Sequence, residues 1–182
     1  MEKNVYLFFM RVIIGVCGSG NLYEKNALKI FEKAEIIGRE IAKNNGVLIC
    51  GGKGGIMEAV CKGAKQEQGL TIGILPYERD EKNEFVDIPI VTGIGEKRNA
   101  IIVQSADCII AIAGMWGTLN EIILAAIYQT PVVFLKDSGG FVDRFIQSDL
   151  IKNESLEYQI VDDEIDAVKQ AFRLAKKNQT KH

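Results

Sequence analysis

The chain has 182 residues, 47% hydrophobic and 25% charged, enough to bury the core of one ordinary soluble domain, read here as residues 1–182. A net charge of −2 supplies no global field to gather nucleic acid, so any phosphate site must be local. The single histidine is His182, the last residue, which excludes internal His triads, zinc sites and His acid–base chemistry.

Val5-Tyr6-Leu7-Phe8-Phe9-Met10 is apolar but too short for a membrane span, and no small-residue cleavage site follows. Residues 1–10 read either as an extension of the first strand or as an upstream read-through with Met10 as the start. Arg11 to Cys17 is a strand ending in the tight loop Gly18-Ser19-Gly20. Residues 24 to 45 carry apolar positions at helical spacing, closed by Asn44-Asn45-Gly46. Val47 to Cys50 is a strand, Gly51-Gly52-Lys53-Gly54-Gly55 a loop, and Ile56 to Gln68 a helix. Leu70 to Leu75 is a strand stopped by Pro76, and Tyr77 to Glu84 is polar and aperiodic, a surface loop free to move.

Ile88 to Val91 is a short strand and Gly95 to Ser105 a helix, in which consecutive Ala100-Ile101-Ile102-Val103 demands cover on more than one face. Asp107 to Ile112 is a strand, followed by Ala113-Gly114-Met115-Trp116-Gly117-Thr118-Leu119-Asn120-Glu121 and a helix to Gln129. Pro131 to Leu135 and Tyr158 to Val161 are strands, Gly140 to Leu150 a short helix, and Asp162 to Lys177 a closing helix. Strands alternating with helices throughout predict an α/β fold, a doubly wound, mainly parallel sheet with helices on both faces. The four cysteines, Cys17, Cys50, Cys61 and Cys108, lack paired ligand spacing and read as buried reduced thiols of a cytoplasmic protein. No metal is expected.

In such sheets ligands bind beyond the strand C-termini where the winding reverses. Three glycine-rich loops fall at strand C-termini, and their convergence points to a phosphate-bearing ligand of mononucleotide size. Gly18-Ser19-Gly20-Asn21-Leu22-Tyr23 lacks the third glycine of a dinucleotide fingerprint, and no Gly-Lys-Ser/Thr loop is present. Thr118-Leu119-Asn120-Glu121 has the spacing of a capping box, in which the two side chains satisfy each other's backbone N–H groups. The same carboxylate, in the first helical turn, stands at the mouth of an anion site, so capping and chemistry are both open for Glu121. Arg98, on an otherwise apolar helix, and Lys53, inside a glycine loop, are the candidate cations. Trp116 either stacks on a base or packs at an interface, and Met57 and Met115 read as packing residues.

Taken in order, Cys17-Gly18-Ser19, Gly51-Gly52-x-Gly54-Gly55-Ile56-Met57, Arg98-Asn99 and Gly114-x-x-Gly117-Thr118-x-x-Glu121 resemble the Lonely Guy (LOG), or lysine-decarboxylase-like, superfamily, over about residues 11 to 135. The resemblance implies a Rossmann-like fold, a dimer or tetramer, and a nucleoside-monophosphate ligand whose N-glycosidic bond is hydrolysed to free base and ribose 5-phosphate. It makes Arg98 and Glu121 the catalytic pair, Arg98 holding phosphate or orienting the carboxylate through a forked pair. Gly18, Ser19, Gly52, Lys53, Gly54, Gly114, Met115, Gly117 and Thr118 become the phosphate- and ligand-binding set. The sequence departs from the superfamily hallmark Pro-Gly-Gly-x-Gly-Thr-x-x-Glu at Ala113 and Met115, and Asn99 stands where a lysine follows the arginine. These departures are similar to the branch containing molybdenum-cofactor carrier proteins, which bind a phosphorylated pterin without turning it over. Two expectations follow: a phosphoribohydrolase, or a carrier or sensor of a phosphorylated ligand such as molybdenum cofactor. No cofactor is required, no nucleic-acid or membrane partner is expected, and the apolar helices at 96–105 and 118–129 predict self-association.

Overall fold

The computed structural model describes residues 11–20, 27–153 and 156–179. The expectations for residues 1–10, for the start of the helix after the first strand, and for His182 lie outside them. The described elements are β1 (Ile13–Gly18), α1 (Ala27–Lys43), β2 (Val47–Cys50), α2 (Ile56–Gln66), β3 (Leu70–Leu75) and β4 (Ile88–Val91), then α3 (Asn99–Ser105) and β5 (Cys108–Ile112). They continue with α4 (Trp116–Tyr128), β6 (Val132–Leu135), α5 (Gly140–Gln147), α6 (Leu150–Asn153), β7 (Tyr158–Val161) and α7 (Glu164–Gln179). Short 3-10 turns cover Arg79–Glu81 and Gly95–Arg98.

All seven strands pair in parallel, in the order β4-β3-β2-β1-β5-β6-β7. The winding reverses at β1, which takes β2 on one side and β5 on the other, with Ile14 opposite both Leu48 and Cys108. The central strands are continuous apolar runs because both faces are covered. Alternation along β5 shows it: Cys108, Ile110 and Ile112 join a core with α1, α2 and α7, while Ile109 and Ala111 join a second core with α3 to α6. Helices therefore cover both faces, as the alternating pattern predicts. α1 buries Ile30, Ala34, Ile37 and Ile41, one stripe at 3.6-residue spacing.

Local differences have local causes. The predicted helix from Gly95 divides into a 3-10 turn and α3, because Gly95 adopts a positive φ of 62° and its N–H bonds Pro76 O rather than starting an α-helix. The helix expected from Gly140 to Leu150 breaks at Ser148, whose extended backbone separates α5 from α6. The loop after Pro76 contains the Arg79–Glu81 turn and is fastened to the rest of the molecule. No helix among the described residues is long and apolar enough to cross a membrane, and all four cysteines are buried and free.

Candidate functional site

The C-terminal ends of β1, β2 and β5 bring the three glycine loops together at the reversal of the winding. Between them lies a cavity of about 350 Å³, at the small end of the range for small-molecule sites. Gly18 and Ser19 from the first loop and Lys53 and Gly54 from the second form two of its walls. Met115, Gly117 and Thr118 from the third loop close it, with Arg98 and Glu121 lining the interior. Gly52 and Gly114, expected among the ligand-binding residues, are not on this lining. Gly52 packs against Gly73 of β3, and Gly114 packs against the Thr118 side chain.

Arg98 is buried at 5% exposure, an unusual place for a guanidinium. Its Nη1 donates to Gly51 O, just past β2, at 2.6 Å and also to Ile74 O near the end of β3, tying the C-terminal ends of the two strands together. Gly51 is needed for this approach: a Cβ there would stand 2.5 Å from Arg98 Nη1. The expected forked pair with Glu121 is not formed. Arg98 Nη2 instead stands 3.9 Å from Glu96 Oε2, and Arg98 Nε is buried without a hydrogen-bond partner. Arg98 is held instead by the Nη1 bonds to the Gly51 and Ile74 carbonyls.

Glu121 corrects the capping expectation. α4 starts at Trp116 with Met115 at the N-cap and no side-chain cap, so Thr118 is the third helical residue and Glu121 lies in the second turn, not the first. Neither can act as a capping box. Glu121 is buried, and burial pushes its carboxyl up to about 8 despite the lowering influence of the Arg98 charge. At neutral pH it is therefore mainly a neutral acid in the cavity wall. Cys17, near the end of β1, is raised well above the usual thiol range by burial, with the Glu121 charge adding to the effect.

The turn that delivers α4 is unusual. Ala113 takes a positive φ of 50° and Gly114 one of 92°. Ser138 Oγ accepts the Ala113 N–H at 2.8 Å, and Val142 N and Phe141 N donate to the carbonyls of Ala113 and Gly114 at 3.0 and 2.9 Å. The N–H groups of Trp116, Gly117 and Thr118 begin the helix without a capping side chain, which leaves donors at its positive end. Trp116 is not on the cavity lining; its ring packs on Phe141 with centroids 4.7 Å apart.

Several residues were not expected in the site. Cys17, Met57, Glu96 and Asn99 also line the cavity. Asn83, in the polar loop, donates through Nδ2 to Gly52 O at 3.0 Å and Lys53 O at 2.9 Å, and its backbone N–H also reaches Gly52 O. Glu81 Oε1 accepts from Lys53 Nζ at 2.9 Å. The polar, aperiodic composition of residues 77–84 conceals these ties, which depend on tertiary contacts some 30 residues apart in sequence.

The model of the SLOG cluster4 family matches residues 11–169. The chain belongs to the SLOG cluster4 family. This SLOG protein is 34% identical to the molybdenum cofactor binding protein of the phototrophic bacterium Rippkaea orientalis, with a TM-score of 0.80 over 91% of this chain and 98% of the other. It is 32% identical to the molybdenum cofactor carrier protein of Chlamydomonas reinhardtii, with a TM-score of 0.79 over 92% and 99%. An uncharacterised protein of Archaeoglobus fulgidus shares 46% identity over 112 residues, 62% of this chain and 72% of that one. The LOG-like fold and the carrier-like branch expected from the motifs are thus those of its family and its structural neighbours.

Proposed function

We propose that this SLOG protein binds a phosphorylated ligand of nucleotide or pterin type in the switch-point cavity and carries it intact. The observation that carries the reading is the state of its two charged candidates. Glu121 is buried, outside ion-pair distance of Arg98 and pushed up to about 8, while Arg98 is pinned through Nη1 to the carbonyls of Gly51 and Ile74. A neutral carboxylic acid neither stabilises a developing ribosyl cation nor activates water. The free N–H groups at the start of α4, the Gly18–Gly20 loop and Lys53 suit an anion. The similarity to two proteins named for binding or carrying molybdenum cofactor supports a pterin ligand in particular.

A second reading has one observation in its favour. A carboxylic acid that keeps its proton at pH 7 is a proton donor, and Glu121 could protonate a departing base in an N-glycosidic hydrolysis. One experiment separates the two. The protein is titrated by calorimetry with nucleoside 5′-monophosphates and a pterin monophosphate, and ribose 5-phosphate is assayed in the nucleotide samples. Carriage predicts saturable binding with no ribose 5-phosphate; release that disappears in Glu121→Gln would overturn it in favour of hydrolysis.

A further inference from the structure

Lys53 is a cation at the cavity wall whose ammonium is already engaged. Its Nζ contacts Glu81 Oε1 at 2.9 Å, and it remains partly exposed. The second oxygen of Glu81 accepts the backbone N–H groups of Tyr77 at 3.2 Å and Glu78 at 3.0 Å, so the carboxylate is fixed within its own turn. Those N–H groups and Lys53 hold the carboxyl below the usual carboxylate range, which keeps it ionised at neutral pH. Asn83 fastens the base of the same loop through Gly52 O and Lys53 O, and its Oδ1 accepts the Phe85 N–H at 3.0 Å. The lysine backbone and the glutamate carboxylate are therefore both immobilised, and only the long lysine side chain can move between Glu81 and the cavity.

From this geometry we propose that Glu81 sets the affinity of the site by competing with the ligand's phosphate for Lys53. Ligand binding draws the ammonium off Glu81 and into the cavity; ligand release returns it. The proposal rests on the phosphate-ligand reading above. A phosphomonoester, carrying between about −1.5 and −2 at pH 7, attracts the ammonium more strongly than a single carboxylate does. By reciprocity, a ligand that removes Lys53 from Glu81 also loosens the Tyr77–Glu81 turn, so occupancy of the cavity is reported on the surface of this loop. For a carrier, a resident competitor keeps loading reversible.

The test is a double-mutant cycle on the full chain, with inorganic phosphate as the probe, at pH 7.5 and fixed ionic strength, read by phosphorus-31 NMR titration. Glu81→Gln keeps an oxygen for the Tyr77 and Glu78 N–H groups but gives up the charge that holds Lys53. It is expected to tighten phosphate binding roughly two- to fivefold, the range expected for releasing a half-exposed ion pair. Lys53→Gln weakens binding, and adding Glu81→Gln to it produces no further gain. An equal gain in the Lys53→Gln background would overturn the proposal, because Glu81 would then be acting only as a nearby negative charge. Unchanged or weaker binding in Glu81→Gln also overturns it, while phosphate binding by the unsubstituted protein leaves the ligand reading standing. No phosphate binding by any of the four proteins overturns both. A second measurement needs no substitution: hydrogen exchange at the Tyr77 and Glu78 amides is expected to speed up on saturation with phosphate, and slower or unchanged exchange contradicts the handover.

Discussion

Replacing Glu121 by Gln removes one titrating proton from the cavity wall and little else in shape. The carboxyl stands at about 8 in the folded protein against 4.5 for an ordinary glutamate, and desolvation is the leading cause. Because the folded-state value is raised, stability linked to this proton is complete below about pH 4.5 and is lost as the pH rises through about 8. With roughly 1.4 kcal/mol per unit, the stability difference between Glu121→Gln and the unsubstituted protein should change by about 3 kcal/mol between about pH 5.5 and about pH 9. The variant becomes the relatively more stable protein at the alkaline end. Urea unfolding of both proteins at several pH values reads this directly, since taking their difference removes every other titrating group. At a urea slope of about 2 kcal/mol per molar, the midpoint difference moves by about 1.5 M. A difference that stays flat with pH would show that Glu121 is solvated or already paired, and the argument for a neutral cavity acid would fail. A helix-capping glutamate would give no such alkaline gain.

Ala113→Pro should cost about 3 kcal/mol or more, because proline cannot reach a φ of 50° and removes the N–H held by Ser138; Ala113→Gly should stabilise by about 0.5–1 kcal/mol, both read by urea unfolding. Asn83→Ala leaves the carbonyls of Gly52 and Lys53 with fewer donors and should cost about 1–3 kcal/mol, with weaker phosphate binding in the same titration as the glycine loop loosens. Trp116, Ile123 and Ile127 are exposed at 72%, 48% and 65% around the α4 surface, more apolar area than a lone helix face usually leaves to water. Self-association through this face is expected by light scattering, and Ile127→Glu should shift the protein to a monomer that keeps its helical circular dichroism; a monomeric unsubstituted protein would contradict the interface.

The sheet was legible because each central strand is a short apolar run, and burial on both faces gives such runs no polar alternation to confuse them. The three loops of the cavity were legible for the same reason: the strand order puts the C-termini of β1, β2 and β5 side by side. What remained hidden depends on contacts that spacing does not encode. Arg98 reaches Gly51 O across 47 residues of sequence, and nothing near Arg98 announces that its Nη1 will bond carbonyls. Thr118-x-x-Glu121 satisfies the capping pattern, yet the real N-cap is Met115. The chain has already turned at Ala113, and an alanine gives no sequence signal for a positive φ.

That turn also explains why the loop departs from its superfamily's hallmark. Proline requires φ near −65°, so a chain whose first loop residue stands at +50° must lose it. The left-handed conformation at Ala113 is stabilised from outside the loop: Ser138 Oγ takes its N–H, and the Val142 N–H takes its carbonyl. With Gly114 turned as well and its carbonyl bound by Phe141, the next residue leaves the turn in an extended conformation and becomes the N-cap. That residue is Met115, about half exposed on the cavity lining. The alanine and the methionine thus belong to one rearrangement of the strand-to-helix turn rather than two separate changes, and its anchors are on α5 and the segment before it. The same turn starts α4 at Trp116 and so places Glu121 in the second turn of the helix, where it is buried. The turn that departs from the hallmark thus also fixes where on α4 the weakened acid Glu121 stands.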